Sequence, residues 1–242
     1  MKLILGKWGT PGFTMFSGVT GDTPIKNWGG TPGTDFTFES FEKLAGETVI
    51  KRQKKKYACQ SCPLACGGKV DVLSGPYQGS EGHKPEYETI AGFGALMLNN
   101  DLDAIIEINE MCNRAGIDTI STGGTVAYAI ECFENGLIDI ETTGGLELTW
   151  GNMNAVIELV DLIIKREGFG DALADGARAA VKKIGPESEN YAIHAGGQEL
   201  PMHDSRNDPG WALTYQIEPT PGRHTIASYL DADLRSGKEQ FP

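Results

Sequence analysis

The sequence predicts a mainly α-helical protein with long loops that are rich in glycine and proline. Apolar residues recur at helical spacing through residues 83–185, whereas 17 of the 32 glycines and 8 of the 12 prolines lie in residues 6–34, 67–82 and 195–222. With 242 residues and an apolar content of 40%, the chain can bury a substantial core, which excludes a disordered protein.

The charge balance and the absence of long apolar runs restrict the class of protein. The 33 acidic and 21 basic residues give a net charge of -12, which argues against nucleic acid or an anionic membrane as the main partner. The longest apolar run, residues 155–164, contains two acidic residues and is too short to span a bilayer, and the N-terminus lacks a signal peptide's apolar stretch. We therefore expect a soluble, cytoplasmic protein.

The N-terminal third of the chain gives weak structural signals. Residues 1–35 show no apolar periodicity and are expected to form a loop that wraps the surface. A short helix is predicted to follow Phe36 and to end near Gly46, and a basic run over residues 51–56 then precedes three cysteines.

Five helices are predicted between residues 83 and 185, and they indicate a helical core. Capping residues mark their starts and glycines mark most of their ends. The periodicity is lost near residue 192, so we predict a domain over residues 1–192 and the start of a second domain over residues 193–242. The predicted helices begin near Pro85, at Asp101 or Asp103, at Ser121 or Thr122, after Asn152 and at Asp171, and they end near Asn99, Gly116, Gly136, Gly168 and Ile184.

Three cysteines form a motif that suits a metal centre. Cys59, Cys62 and Cys66 have the spacing C-x2-C-P-x2-C and are followed by two glycines, which let backbone N–H groups approach the sulfur atoms. This favours a [4Fe–4S] cluster over zinc, whose usual sites have two CxxC pairs or a downstream histidine pair. Zinc and unliganded structural cysteines remain the alternatives.

A cubic cluster needs a fourth ligand, and the chain offers poor candidates. Cys112 and Cys132 both fall on the apolar faces of predicted helices, where cysteine is most often a small core residue. We therefore expect the fourth ligand to come from outside this chain.

Several segments, in this order and spacing, resemble the tungsten-dependent aldehyde:ferredoxin oxidoreductase family. The resemblance extends over roughly residues 5–230, and the ordered set is far more specific than any one piece. The segments are YACQSCPLACGG (57–68), PEYETIAGFGALMLNNDLDAI (85–105), EINEMCNRAGIDTISTGGTVAYAIECFENGLI (107–138), LTWGN (148–152) and YAIHAGGQELPMHD (191–204).

The resemblance implies a domain arrangement in which this chain is only a part. Residues 1–192 would be the family's second, helical domain, and residues 193–242 would begin its third domain. An N-terminal domain that holds a tungsten (or molybdenum) bis-pterin, and a C-terminal segment with the fourth cluster cysteine, would then be supplied elsewhere, by the same gene or by a separate subunit. The implied partners are these segments, ferredoxin and a small-molecule aldehyde.

The resemblance also implies pterin contacts and assigns the cysteines to the cluster. Asn113, Gly116 and Asp118 match a pterin-contacting motif, with Asn113 in place of the usual aspartate, and Asp118 could pair with a planar donor edge. The alternative is a helix C-terminus followed by a capping residue. Arg223, beside a pocket histidine, is a further candidate for cofactor binding.

For catalysis, the resemblance points to Glu88, with Glu86 as the neighbouring fallback, and to His224 and His203. Glu88 would have a raised pKa in a dry pocket and would take the proton from an attacking water. His224 would polarise a substrate carbonyl, while His203 stands where some relatives have a pocket tyrosine. A solvated helix-start carboxylate is the alternative role for Glu88.

The function that the resemblance implies is oxidation of an aldehyde to a carboxylic acid, with electrons passing through the cluster to ferredoxin. One alternative is a tungsten-dependent aromatic acyl-CoA reductase-like subunit, which the histidine at position 203 leaves open. The others are a non-catalytic iron–sulfur subunit and a zinc-stabilised helical interaction module.

Overall fold

A computed structural model describes residues 2–222 and residue 224, and in this part of the chain helices dominate the regular structure. The predicted mainly α-helical class is therefore confirmed. The α-helices are α1 (Lys2–Trp8), α2 (Thr14–Thr20), α3 (Phe38–Leu44), α4 (Gly46–Lys51), α5 (Tyr87–Phe93), α6 (Leu102–Ala115), α7 (Thr119–Glu134), α8 (Met153–Lys165), α9 (Gly168–Leu173), α10 (Ala177–Ile184) and α11 (Pro209–Ile217). The strands are β1 (Gln53–Tyr57), β2 (Gly67–Asp71), β3 (Glu81–His83), β4 (His194–Ala195) and β5 (Gln198–Glu199).

Helices α5, α6, α7 and α8 surround the main hydrophobic core. The α5–α7 contact is very close, because a Cβ atom added to Gly123 would lie 3.3 Å from the Cα atom of Gly92. The hydroxyls of Thr89 and Thr119 join the same two helices with a 2.8 Å hydrogen bond. This contact fixes the first turn of α5, which carries Glu88, against the start of α7.

The α6–α7 connection contains the residues that were expected to contact a pterin. Gly116 ends α6 in a left-handed conformation with φ 71°, as predicted for a C-terminal glycine. Asp118 caps α7, and its carboxylate accepts a 2.6 Å hydrogen bond from the Ser121 N–H. The predicted start of α7 at Ser121 or Thr122 was therefore too late, because Asp118 already satisfies the free N–H groups there.

Two other predicted helix ends are wrong. Helix α8 ends at Lys165, since Arg166 takes a left-handed conformation with φ 55°, two residues before the predicted Gly168. The helix predicted from Asp171 to Ile184 is divided into α9 and α10 by Gly176, whose φ of 87° is incompatible with a continuous helix.

The first 35 residues contain two short helices, α1 and α2, rather than the expected loop. A 3-10 turn over Thr10–Phe13, with Pro11 in its first turn, connects them. Gly18 lets α2 approach the ring of Phe41, since an added Cβ would lie 2.8 Å from its carbon atoms. These helices are stabilised by packing, which a short local pattern does not reveal.

A three-stranded antiparallel sheet in the order β1–β2–β3 carries the cysteine motif. Tyr57 pairs with Gly67 at the end of the β1–β2 pair, so the cysteine segment is the loop that joins these strands. On the other side of β2, Lys69 pairs with His83. The sequence analysis did not predict this sheet, because cross-strand pairing leaves little local signal here.

Residues 193–222 contain the small β4–β5 hairpin and α11, neither of which was predicted from the sequence. Asp208 caps α11, with Pro209 in its first turn. This segment packs on the N-terminal part, as the Asp204 N–H donates a 2.6 Å hydrogen bond to the Asp22 carbonyl. The domain boundary at 192/193 stays a prediction. In the part of the chain that the structure describes, no helix is long and apolar enough to cross a membrane.

Candidate functional site

Glu88, His203 and His224 converge on one small cluster, although they are far apart in the sequence. Glu88 lies in the first turn of α5, and its Oε1 atom is 3.2 Å from His203 Nε2 and 3.5 Å from His224 Nε2. Its Oε2 atom accepts a 2.7 Å hydrogen bond from the Met202 N–H. Oε1 is buried and faces the Nε2 atoms of both imidazole rings.

His203 is held between two carboxylates. Its Nδ1 atom lies 2.9 Å from Asp22 Oδ2, opposite the contact of Nε2 with Glu88. Burial alone would lower the pKa of His203, but the hydrogen bonds to Asp22 and Glu88 outweigh burial and raise this pKa to about 10. At neutral pH His203 is therefore an imidazolium cation, which donates protons to hydrogen bonds and cannot act as a base.

The expectation of a raised pKa at Glu88 was wrong. Burial raises the pKa of this carboxyl, but the hydrogen bond and charge of His203, the charge of His224 and the Met202 N–H together bring it below its ordinary value. Glu88 is therefore ionised at neutral pH. A dry pocket alone would raise this pKa, but the imidazolium cation beside the carboxylate, together with His224 and the Met202 N–H, has the larger effect.

Aromatic side chains form one wall of this cluster. The ring of Trp211 stacks on His203 with a centroid distance of 5.1 Å, and Tyr215 stacks on Trp211 at 5.9 Å. The hydroxyl of Tyr215 donates a 2.9 Å hydrogen bond to the His203 carbonyl, and that of Tyr87 donates one of 2.7 Å to the Met202 carbonyl. The wall fixes the segment that carries His203.

Glu86, the fallback for Glu88, has a structural partner. Its carboxylate accepts a short hydrogen bond from the Thr10 hydroxyl, whose oxygen also accepts a 2.8 Å hydrogen bond from the Tyr87 N–H. This arrangement ties the start of α5 to the N-terminal segment. Glu88 is thus the better candidate for a chemical role.

A cavity of about 330 Å³ opens beside Glu88 and extends to the α6–α7 connection. Asn113 and Asp118 line it together with Glu88, while Tyr57 and Lys84 line the end nearest the cysteine loop. Asn113, Gly116 and Asp118 are exposed, and the cap geometry of Gly116 and Asp118 matches the alternative role for this motif. Asp118 can cap α7 with one oxygen and still face the cavity. Arg223 lies outside the described residues.

The cysteine loop is accessible and tightly turned. Cys59 is exposed, Cys62 and Cys66 are half-buried, and the Cys62 N–H donates a 3.0 Å hydrogen bond to the Cys59 carbonyl. Ser61 and Ala65 both have positive φ angles, 60° and 52°, so the loop bends sharply before each of the last two cysteines. Three accessible thiols on such a loop are a donor set that fits an iron–sulfur cluster.

Glu88, His203 and His224 each offer one potential ligand atom, and these atoms all lie within 4.8 Å of one another. The histidine–carboxylate group itself is explained by charge pairing between His203 and its two carboxylates.

Cys112 and Cys132 are buried in α6 and α7. Burial raises the pKa of both thiols to about 12, so they are protonated at neutral pH. A thiol must lose its proton to bind iron, which makes both residues poor ligands.

Asp22 and Lys84 are site residues that the sequence analysis missed. Asp22 contacts His203, which is 181 positions away in the sequence, and no local sequence pattern predicts such a contact. Lys84 precedes the helix-start proline and carries no motif of its own.

Comparison with known proteins identifies the family. The family described as "Aldehyde ferredoxin oxidoreductase, domains 2 & 3" matches residues 1–241, and the chain therefore belongs to the aldehyde ferredoxin oxidoreductase family. The tungsten-containing aldehyde ferredoxin oxidoreductase of Pyrococcus furiosus is 36% identical over 228 residues, which are 93% of this chain and 36% of that protein. The corresponding Pyrococcus abyssi protein is 37% identical over 231 residues, with the same shares.

More distant relatives differ in their named reactions. An aliphatic sulfonate oxidoreductase, WOR-like subunit of Pyrococcus furiosus is 29% identical over 89% of this chain and 35% of its own length. The solved active-site complex BamBC of benzoyl coenzyme A reductase, bound to 1,5-dienoyl-CoA, has a TM-score of 0.66, with 24% identity over 81% of this chain and 29% of that one. The structural similarity to the BamBC complex supports the fold of this chain. The chain spans about a third of the length of these relatives.

Proposed function

We propose that this chain contributes the substrate pocket and a [4Fe–4S] cluster to a tungsten–pterin oxidoreductase that converts an aldehyde to a carboxylic acid. The observation that carries the proposal is the convergence of Glu88, His203 and His224 beside a cavity whose far end meets the cysteine loop. Met202, which binds the Glu88 carboxylate, follows it by 114 residues, so the fold and not a local motif assembles the pocket.

The reaction joins one aldehyde and one water to give a carboxylic acid, two protons and two electrons. When bound, the tungsten–pterin group would take the electron pair and the cluster would pass the electrons on singly to ferredoxin. The remaining tasks, which are binding the aldehyde and moving protons, fall to the protein side chains.

Glu88 is the proton acceptor in this proposal. Its carboxylate is ionised at neutral pH, Oε1 is the oxygen that faces the two histidines, and the side chain lines the cavity. Attack of water on the aldehyde carbon forms a carbon–oxygen bond and releases a proton, which Oε1 accepts. A carboxylate with a low pKa is a weak base. The neighbouring His203 cation therefore lowers the proton affinity of Glu88, while it fixes the orientation of the carboxylate.

In this proposal, His203 orients the Glu88 carboxylate and His224 polarises the substrate carbonyl. His203, as a cation, keeps Glu88 ionised and is itself neutralised by Asp22. His224 Nε2, which lies 3.5 Å from the same carboxylate oxygen, is close enough to donate a hydrogen bond to a substrate carbonyl held there. Polarising the carbonyl makes its carbon easier to attack.

The cavity residues suit a pterin at the α6–α7 connection. Asp118 and Asn113 offer an exposed carboxylate and amide, which can form two-point hydrogen bonds with a planar donor edge. Arg223 is the third proposed contact. Cys59, Cys62 and Cys66 would hold the cluster, with the fourth ligand and the N-terminal pterin domain supplied by the sequence that the longer relatives possess.

The test is the rate of aldehyde-dependent dye reduction by the complete enzyme carrying Glu88→Gln. We expect unchanged tungsten and iron contents and a turnover lower by about 10²-fold, the usual contribution of a positioned general base. Glu39→Gln is the matched control, because Glu39 occupies the same position in the first turn of α3 but is exposed. Its turnover should equal that of the wild type. If Glu88→Gln has the same turnover as the wild type, Glu88 is only a charged residue at the start of a helix and has no part in the reaction.

A second candidate is reduction of an aromatic acyl thioester. It is kept open by the histidine at position 203, which stands where some relatives have a pocket tyrosine and whose ring stacks on Trp211. Substrate assays on the same enzyme separate the two reactions. Dye reduction with simple aldehydes supports the first, whereas activity only with an aromatic acyl thioester and a strong reductant supports the second.

A further inference from the structure

Lys84 is a buried cation that the proposed chemistry does not use. Only 3% of its surface is exposed. Its ammonium group donates a 2.9 Å hydrogen bond to the Trp8 carbonyl, and among the described residues it forms no ion pair with a carboxylate. Burying an ammonium group without a negative partner is costly, so a partner is expected nearby.

Two observations place Lys84 beside the cysteine loop. Its backbone N–H donates a 2.8 Å hydrogen bond to the carbonyl of Gly68, two residues after Cys66. Its ammonium group shares a narrow gap with Cys66, because a Cβ added to Gly9 would lie 2.7 Å from Lys84 Nζ and 2.8 Å from the Cys66 carbonyl oxygen. Gly9 has a φ of 75°, and its lack of a side chain permits this close approach.

The charges around Lys84 agree with this geometry. Burial lowers the pKa of Lys84, whereas the negative charges of Glu86 and the Cys66 thiolate favour the protonated ammonium. Three thiolates that hold an iron–sulfur cluster would concentrate negative charge at this place. Such a cluster would add its negative charge to that of Glu86 beside this buried lysine.

We propose that Lys84 is a positioning residue whose buried charge raises the reduction potential of the cluster held by Cys59, Cys62 and Cys66. The inference rests on the proposed cluster. Each electron that enters the cluster adds one negative charge, so a nearby cation in a medium of low dielectric constant stabilises the reduced form more than the oxidised form. Because Lys84 also lines the cavity, it lies where electrons pass from the pocket to the cysteine loop.

The experiment is a redox titration of the complete enzyme under anaerobic conditions, with the reduced cluster followed by EPR. Lys84→Met removes the charge and keeps much of the volume. We expect its ratio of reduced to oxidised cluster, at a fixed potential, to fall about tenfold, which corresponds to a shift of about 59 mV for one electron. Lys84→Arg, which keeps the charge, should stay within about threefold of the wild-type ratio.

Lys54→Met is the control with the same loss of charge. Lys54 lies on β1, is largely exposed and pairs with Asp71, so solvent screens its charge from the cysteine loop. The ratio of reduced to oxidised cluster in Lys54→Met should equal the wild-type ratio at the same potential. An unchanged ratio in Lys84→Met, or an equal shift in Lys54→Met, would overturn the inference.

Two further results are decisive. If the wild-type enzyme contains no iron and labile sulfide, the proposed cluster itself is wrong, whereas a normal cluster with an unaltered potential in Lys84→Met refutes only the role of Lys84. If Lys84→Met takes up no iron, Lys84→Gln replaces it, since Gln keeps a donor for the Trp8 carbonyl. If neither neutral variant takes up iron but Lys84→Arg takes up the normal amount, the result supports a need for the positive charge at this position. If none of the three variants takes up iron, Lys84 has a purely structural role and the inference is overturned.

Discussion

His203 is the residue on which the local electrostatics of the pocket depend. It joins Asp22, in the loop after α2, to Glu88 in α5, and it stacks on Trp211 in α11. The family resemblance was enough to name His203, His224 and Glu88 as pocket residues. Asp22 could not be named, because its pairing with His203 depends on how the N-terminal segment folds back across the molecule.

The charge of His203 should make stability depend on alkaline pH. Because the folded-state pKa is raised to about 10 from its ordinary value of 6.5, the stabilisation is complete below about pH 6.5 and is lost as pH rises through about 10. We expect the wild-type Tm to fall between pH 8 and pH 10.5 more steeply than that of His203→Gln, which has no charge to lose. At pH 7 the variant should be less stable by about 1.5–3 kcal/mol, or several degrees in Tm.

Tm measurements across this pH range, with His83→Gln as the control, check this expectation. His83 is exposed on β3, so its replacement should leave the curve unchanged. Other groups face His203 and also titrate at high pH, including Tyr87 and Tyr215, whose hydroxyl pKa values burial raises further. The difference between wild type and variant isolates the histidine. Parallel curves would mean that His203 is neutral in the folded protein.

At the scale of elements, the start of α10 depends on a buried carboxylate from β5. Glu199 Oε1 accepts a 2.7 Å hydrogen bond from the Ala177 N–H and a 3.2 Å hydrogen bond from the Thr125 hydroxyl. It therefore joins α7, β5 and α10, and the negative charge suits a helix N-terminus. Gly176 leaves room for it, since an added Cβ would lie 2.8 Å from the same oxygen.

Replacing this carboxylate should loosen the C-terminal helices. We expect Glu199→Ala to lower the free energy of unfolding by about 1–3 kcal/mol, because the Ala177 N–H and the Thr125 hydroxyl lose their acceptor. For a chain of this length the Tm should fall by about 2–4 °C for each kcal/mol. Glu187→Ala, at an exposed position, should change the Tm by less than 1–2 °C or so. Equal Tm values for the two variants would show that Glu199 has no such role.

The elements differ in how well the sequence predicted them. Helices α6, α7 and α8 were predicted because each has several turns of periodic apolar residues and a capping side chain. The short helices α1, α2 and α11 were missed, since helices of this length depend on tertiary packing. The three-stranded sheet was also missed, and with it the finding that the cysteine loop joins two paired strands.

At the scale of the whole molecule, one cavity extends from Glu88, in the proposed catalytic cluster, toward the cysteine loop. Lys84 and Tyr57 line one end of the cavity, and Glu88 and Asp118 line the rest. This juxtaposition is what an enzyme needs when it removes electrons at one site and passes them on at another. Single residues could be named from the sequence, but this arrangement could be seen only in the folded chain.

The central claim is that this pocket and this cysteine loop belong to one electron path. The most direct measurement is EPR of the complete, oxidised enzyme after anaerobic addition of an aldehyde. We predict that the signal of the reduced cluster appears, that it appears about 10²-fold more slowly in Glu88→Gln, and that it is absent in Cys62→Ser but retained in Cys132→Ala. An enzyme whose cluster is reduced by dithionite but never by any aldehyde would contradict the account.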